Sequence, residues 1–122
     1  MIKVKEINWI NESAKEAEVI ISDGILTLKC FSQPFNYEVG DELKEPLYCY
    51  EVRNVMKSDE EGFISEKQDN AFAYFLRGKL VDSRNKLVMV GGVKISLEDY
   101  SIPTDLKDGD IIEFTVQRLD IY

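Results

Sequence analysis

The chain has 122 residues, with 23 acidic side chains against 15 basic ones and no histidine, for a formal net charge of -8 and a pI near 4.6. That length fits a single domain over residues 1–122, and 44% hydrophobic with 31% charged residues is ordinary globular composition rather than disorder. The acidity disfavours a dedicated polyanion binder, and the missing histidines exclude Ser-His-Asp and Cys-His nucleophiles and every His-containing zinc site.

Ile2-Lys3-Val4-Lys5-Glu6 has no apolar core of a secretory signal, and no apolar run approaches the ~20 residues that span a bilayer. A cytoplasmic protein is expected. Asn11 to Glu16 reads as a single turn. Ala17 to Ser22 and Ile25 to Phe31 read as a hairpin closed on Asp23-Gly24, a dipeptide that suits a two-residue type I′ turn. That turn would set Ile21 opposite Leu26, Val19 opposite Leu28 and Ala17 opposite Cys30 on an apolar face. The other face would pair Glu18 with Lys29.

Phe31 to Tyr37 holds three aromatic rings in a loop, which either plugs a barrel end, the commoner outcome, or offers Phe35 and Tyr37 to a partner. Gly40-Asp41 is a tight turn that launches a strand at Glu42-Leu43. Leu47 to Met56 alternates as a strand, and Asp59 to Asn70 is polar enough for a loop or short helix. Ala71 to Val81 places Phe72, Tyr74, Leu76, Gly78 and Leu80 on one face, with Gly78 marking a bulge or sharp bend. A second hairpin, Leu87 to Leu97, closes on Gly91-Gly92 and sets Val90 opposite Val93 and Val88 opposite Ile95. The last strand, Ile111 to Tyr122, turns Ile112, Phe114 and Val116 inward; Leu119 and Ile121 have the opposite parity, which predicts a bulge near Gln117-Arg118.

Gly24, Pro34 and Gly40-Asp41 recur as Gly92, Pro103 and Gly109-Asp110, at offsets of 68, 69 and 69 positions. The chain therefore reads as two halves of one all-β antiparallel barrel, each half a hairpin, a loop, a Gly-Asp turn and a long strand. The strand order and Gly-Asp launches over residues 15–122 resemble an OB-fold barrel. The stretch from Glu18 through Cys30-Phe31, Pro34 and Gly40-Asp41, with the ending Arg118-Leu119-Asp120-Ile121, is similar to small bacterial proteins without an assigned activity. This likeness implies a fold and no site.

Cys30 and Cys49 lack metal or redox spacing and read as buried free thiols. Asp105, Asp108 and Asp110 hint at a calcium loop but lack its remaining oxygen ligands, and Gly91-Gly92 lacks the helix and Lys-Ser/Thr of a phosphate loop. No catalytic set, metal or cofactor is expected, which leaves binding. The preferred surface is acidic, with Glu38, Asp41, Glu42, Glu45, Asp59, Glu60 and Glu61 meeting a basic protein, as an immunity or inhibitor protein would. The alternative lies in the segment Arg77 to Lys94, which is +4 while the rest of the chain is -12. Phe75, Arg77 and Lys79 share a strand face there, and with Arg84, Lys86 and Lys94 they could hold single-stranded nucleic acid or a small ligand.

Overall fold

The computed structural model describes residues 1–44, 46–68 and 72–122. Among these the fold is all-β, with ten strands: β1 (Ile2–Asn11), β2 (Glu16–Ser22), β3 (Thr27–Ser32), β4 (Glu42–Leu43), β5 (Leu47–Lys57), β6 (Ile64–Lys67), β7 (Tyr74–Asp82), β8 (Leu87–Val90), β9 (Val93–Ser96) and β10 (Ile111–Asp120). They run β4-β1-β2-β3-β10-β5-β9-β8-β7-β6, and an additional β10–β7 pairing closes β10, β5, β9, β8 and β7 into a five-stranded barrel. Pairing is antiparallel except where β3 meets β10 and β5 meets β9.

The first hairpin keeps its expected faces and changes its register. Val19 pairs with Cys30 and Ile21 with Leu28, two residues away from the pairing a type I′ turn would give. The cause is Asp23, whose carboxylate accepts the Ile25 and Leu26 amides (2.9 and 2.7 Å) while its own amide donates to the Leu26 carbonyl. These bonds hold a longer loop that buries Leu26 and leaves Ile25 85% exposed. A two-residue shift preserves side-chain parity, so Ala17, Val19, Ile21, Leu28 and Cys30 are all fully buried. Glu18 and Lys29 still meet, diagonally, at 2.9 Å. The Gly91-Gly92 hairpin has the expected register throughout.

β1 and β6 are not apparent from periodicity. In β1 only Val4 is buried, and register shifts between Val4 and Glu6 and between Trp9 and Asn11 break the alternation. β6 is a short, polar strand on the edge of β7, where a loop or helix was expected. β7 begins only at Tyr74, and the expected start at Ala71 lies outside the described residues. Along β5, Glu51 and Asn54 adopt positive φ (59° and 58°), so burial stops alternating after Cys49.

Gly78 is needed for approach rather than for a bulge. A Cβ there would lie 2.4 Å from the Met89 carbonyl oxygen of β8, while the irregularity in β7 falls between Leu80 and Asp82. The parity change in β10 occurs without the expected bulge near Gln117-Arg118, since its register with β5 shifts between Glu113 and Thr115 and is unbroken from Thr115 to Asp120. The strand simply leaves β7 after Val116 and reaches β3 at Asp120. Its two ends therefore bury opposite faces: Ile112, Phe114 and Val116 in one half, Leu119 and Ile121 toward the other.

The two halves match, but only the second closes into the barrel with β5 and β10, β1-β2-β3 lying outside it, and two of the expected markers do not correspond. Gly40 and Gly109 have φ of 96° and 94°; each donates its amide to a neighbouring strand, to the Val4 carbonyl of β1 or the Leu80 carbonyl of β7, and each following Asp caps a preceding amide, Glu38 or Lys107. A second correspondence joins Asn11–Glu16 to Asp82–Leu87. Asn11 and Asp82 cap the Ala14 and Asn85 amides, Lys15 and Lys86 share a φ of 57°, and their carbonyls accept the Phe35 and Leu97 amides. Because Leu97 takes the place of Phe35, Pro34 and Pro103 are not equivalent, and Gly24 and Gly92 sit in loops of different type. β1-β2-β3 and β7-β8-β9 are matching meanders that share β5 and β10 as a central antiparallel pair. Val4, Val19 and Leu28 from one meander and Leu80, Val88 and Ile95 from the other belong to one continuous core.

Candidate functional site

The acidic candidates fall into two groups on different halves. Glu38, Asp41 and Glu42 surround the first Gly-Asp turn, which is bonded to β1 through Val4 and Asp41 (2.9 Å). Glu38 and Glu42 are exposed, whereas one Asp41 oxygen is engaged by the Glu38 amide at 2.8 Å. Asp59, Glu60 and Glu61 follow β5, where Ser58 donates its amide to Ile111 at the start of β10. Glu45 lies outside the described residues.

The two ring candidates of the acidic surface resolve toward the interior. Phe35 is 2% exposed and packs edge-on to Trp9 (6.2 Å between centroids) and beside Tyr37 (5.6 Å). It is a plug under β1, the commoner of the two outcomes expected for this loop, and not the exposed anchor of the other. Tyr37 is half-buried against the same core. The amide of Phe35 hangs from the Lys15 carbonyl, which is what pulls its ring inward.

The basic segment is not brought together as a cationic strip. Strand parity does put Phe75, Arg77 and Lys79 on one face, opposite Thr115, Glu113 and Ile111 of β10. Arg77, however, is only 8% exposed, and its Nη2 lies 2.8 Å from Glu60 and 3.3 Å from Glu113. A guanidinium held between two carboxylates carries little field outward. Phe75 is half-buried, and Lys79 borders a shallow apolar depression of about 280 Å³ with Phe63, Met89 and Ile111. Lys94 is exposed across from Met89 on the second hairpin.

Arg84 and Lys86 belong elsewhere. They stand on the β7–β8 turn and line a concavity of about 460 Å³ with Ser83, Ser101, Ile102 and Thr104. Lys86 Nζ donates to the Tyr100 carbonyl at 2.6 Å. Of the calcium-loop candidates, Asp108 accepts the Ser83 amide and Asp110 caps Lys107 and lies 3.7 Å from Lys57. Among the described residues no three His, Cys, Asp or Glu side chains converge as metal ligands, and no helix is long and apolar enough to cross a membrane.

One cluster was missed. Arg118 lies between the rings of Phe31 (4.2 Å) and Tyr50 (4.6 Å), and its Nε and Nη2 grip Asp120 at 2.6 and 3.1 Å. The bond to Asp120 pushes the guanidinium pKa up. The signal was available, because residues i and i+2 of a strand share a face, so Arg-x-Asp in β10 is a ready ion pair. The rings on either side come from β3 and β5, which only the topology brings to β10. Both cysteines are buried free thiols near Asp120, and burial, then the Asp120 charge, pushes both thiol pKa values far up. No protein-family model, curated protein or solved structure matches this chain.

Proposed function

We propose that this chain is a non-catalytic cytoplasmic binding protein that engages a basic protein partner through exposed carboxylates. The observation that carries the reading is the enclosure of Arg77 by Glu60 and Glu113. It takes the central cation of the single-strand reading out of play and leaves the -8 chain with a negative exterior field. Opposite charge of that kind steers encounter with a cationic partner and sets its choice. Glu38 and Glu42, exposed beside the first Gly-Asp turn, are the preferred contacts, with Asp59 and Glu61 as the second group. Neutralisation of a basic enzyme, in the manner of an immunity protein, is the form of binding this suits.

The test is fluorescence anisotropy with a labelled oligolysine and a labelled thymidine single strand in the same buffers. Oligolysine binding that weakens with salt, and weakens more in Glu38→Gln/Glu42→Gln than in Glu98→Gln/Asp99→Asn, supports the reading. Equal weakening by both pairs reduces the effect to net charge and overturns the assigned face. Binding of the single strand, lost in Arg77→Ala/Lys79→Ala, overturns the function itself.

A further inference from the structure

The two matching halves differ in what they place against the lysine-bearing turn. In the first half the space beside Lys15 is filled: Phe35 hangs from the Lys15 carbonyl and is buried, and Lys15 Nζ is held by Asn36 Oδ1 at 3.1 Å. In the second half Leu97 makes the corresponding bond to the Lys86 carbonyl, at 2.9 Å. The chain then takes a longer excursion, 97–108, before reaching its Gly-Asp turn. Instead of plugging the space, this loop walls it, leaving the concavity of about 460 Å³ lined by Ser83, Arg84, Lys86, Ser101, Ile102 and Thr104.

The wall is fixed from behind. Tyr100 donates its hydroxyl to the Cys49 carbonyl (3.0 Å) and accepts the Glu51 amide (2.8 Å), pinning the loop to β5. The Tyr100 carbonyl in turn orients Lys86, and Asp108 holds the Ser83 amide from the far end of the loop. A site fixed before its ligand arrives avoids the ordering cost of forming on demand.

We propose that this concavity binds a small organic phosphate. Arg84 and Lys86 supply two cations on one wall, and an ammonium with three donors keeps two after its bond to Tyr100. Ser83, Ser101 and Thr104 add hydroxyls, which suits an anion with several acceptor oxygens better than a carboxylate. Ile102, Pro103 and Leu106 offer an apolar surface to the body of the ligand, and the volume falls within the ~300–1,000 Å³ of small-molecule sites. The chain's overall negative charge opposes this only weakly, since at physiological salt charges beyond about 8 Å are largely screened. Of the nearby acids, Asp82 is held by Asn85 and also faces the charge of Arg84, Asp108 is held by Ser83, and Asp105 is exposed on the same loop, so the phosphate must compete with Asp82 for Arg84. The proposal does not depend on the acidic contacts at the other turn.

Two-dimensional amide NMR of the intact chain tests it, with phenyl phosphate and benzoate as probes. Saturable shifts on residues 83–87 and 101–106 are expected with phenyl phosphate, at about tenfold higher affinity than benzoate. Arg84→Gln should weaken the phosphate probe about tenfold, while Lys94→Gln, on the second hairpin, should leave it unchanged. The spectra themselves report whether each variant is folded. Absence of saturation at millimolar phenyl phosphate, equal affinity for benzoate, or indifference to Arg84→Gln would each overturn the assignment.

Discussion

Asp23 Oδ2 accepts the amide of Gly92 at 2.8 Å, so the tip of the first hairpin is clamped to the tip of the second. The same carboxylate holds its own loop through Ile25 and Leu26, and the three amides keep its pKa below the ordinary aspartate value, the Leu26 bond contributing most. Gly92 is required on the other side, because a Cβ there would stand 2.6 Å from Asp23 Oδ2. Asp23→Ala should cost about 1–2 kcal/mol, the usual loss for removing a carboxylate cap. Gly92→Ala should cost a similar amount by expelling the carboxylate. Urea denaturation of the double variant should show strong non-additivity, because the second change has nothing left to displace. Additive losses would show that the clamp is not a shared element.

The pH dependence of that clamp follows from its direction. A carboxylate whose folded pKa is depressed stabilises the fold fully above its unfolded value of about 3.9, and that stabilisation is lost as pH falls through the folded pKa. Asp23→Asn should therefore have a shallower loss of stability than the native chain below about pH 4. Parallel acid limbs would contradict the assignment.

Arg77 gives an asymmetric prediction, because its two partners sit in different solvent. Glu60 is 71% exposed on its side chain, whereas Glu113 is 23% exposed and opposes Arg77 in the β7–β10 ladder. Glu60→Gln should change stability by less than about 0.5 kcal/mol, the ordinary worth of a solvated pair. Glu113→Gln should cost about 1–3 kcal/mol, since it leaves a nearly buried guanidinium with its exposed partner only. Denaturation midpoints decide this, and equal effects would mean that the partners' different exposure does not set their worth.

What could be read from the sequence was parity; what could not was anything set by a side chain reaching across the fold. Val19, Ile21, Leu28 and Cys30 fall on one strand face by period-2 spacing while Glu18 and Lys29 fall on the other, so their burial is readable even though Asp23 lengthens the loop and moves the register. The Gly-Asp turns were readable because positive φ and an aspartate cap are local demands. The Asn11 and Asp82 turns obey a local rule too, yet only Lys15 and Lys86 match in residue type, which hides the repeat. Arg77 was misread because Glu113 is distant in sequence and adjacent only across β7 and β10. Phe35 could be seen as a ring in a loop, but its inward direction depends on the Lys15 carbonyl.

The thiols predict an alkaline limb. Burial places the folded pKa of Cys30 and Cys49 far above the unfolded value of about 8.5, so the unfolded chain releases these protons first. Stability should then fall as pH rises past about 8.5, the sign required when the native state binds more protons. The slope should diminish in Cys30→Ala/Cys49→Ala, whatever that variant loses in packing. At neutral pH the native chain should react with an aromatic disulfide reagent roughly a hundredfold or more slowly than the unfolded chain. Rapid native labelling of either residue would place it nearer solvent than its burial indicates.

Arg118 and Asp120 supply the most demanding substitution. Asp120 is a buried carboxylate, and Arg118 is its bidentate partner as well as the filling between Phe31 and Tyr50. Lysine cannot reproduce the planar fork or stack with both rings, so Arg118→Lys should cost about 1–3 kcal/mol although charge is conserved. Arg118→Met should cost more, about 3–5 kcal/mol, because it leaves Asp120 buried without a cation. Adding Asp120→Leu to that variant should recover part of the loss, since two apolar side chains need no partner where one carboxylate does. Urea denaturation of the three variants ranks these costs. If Arg118→Lys were neutral, or the double change worse than Arg118→Met alone, the ion pair would not be what fixes this end of β10.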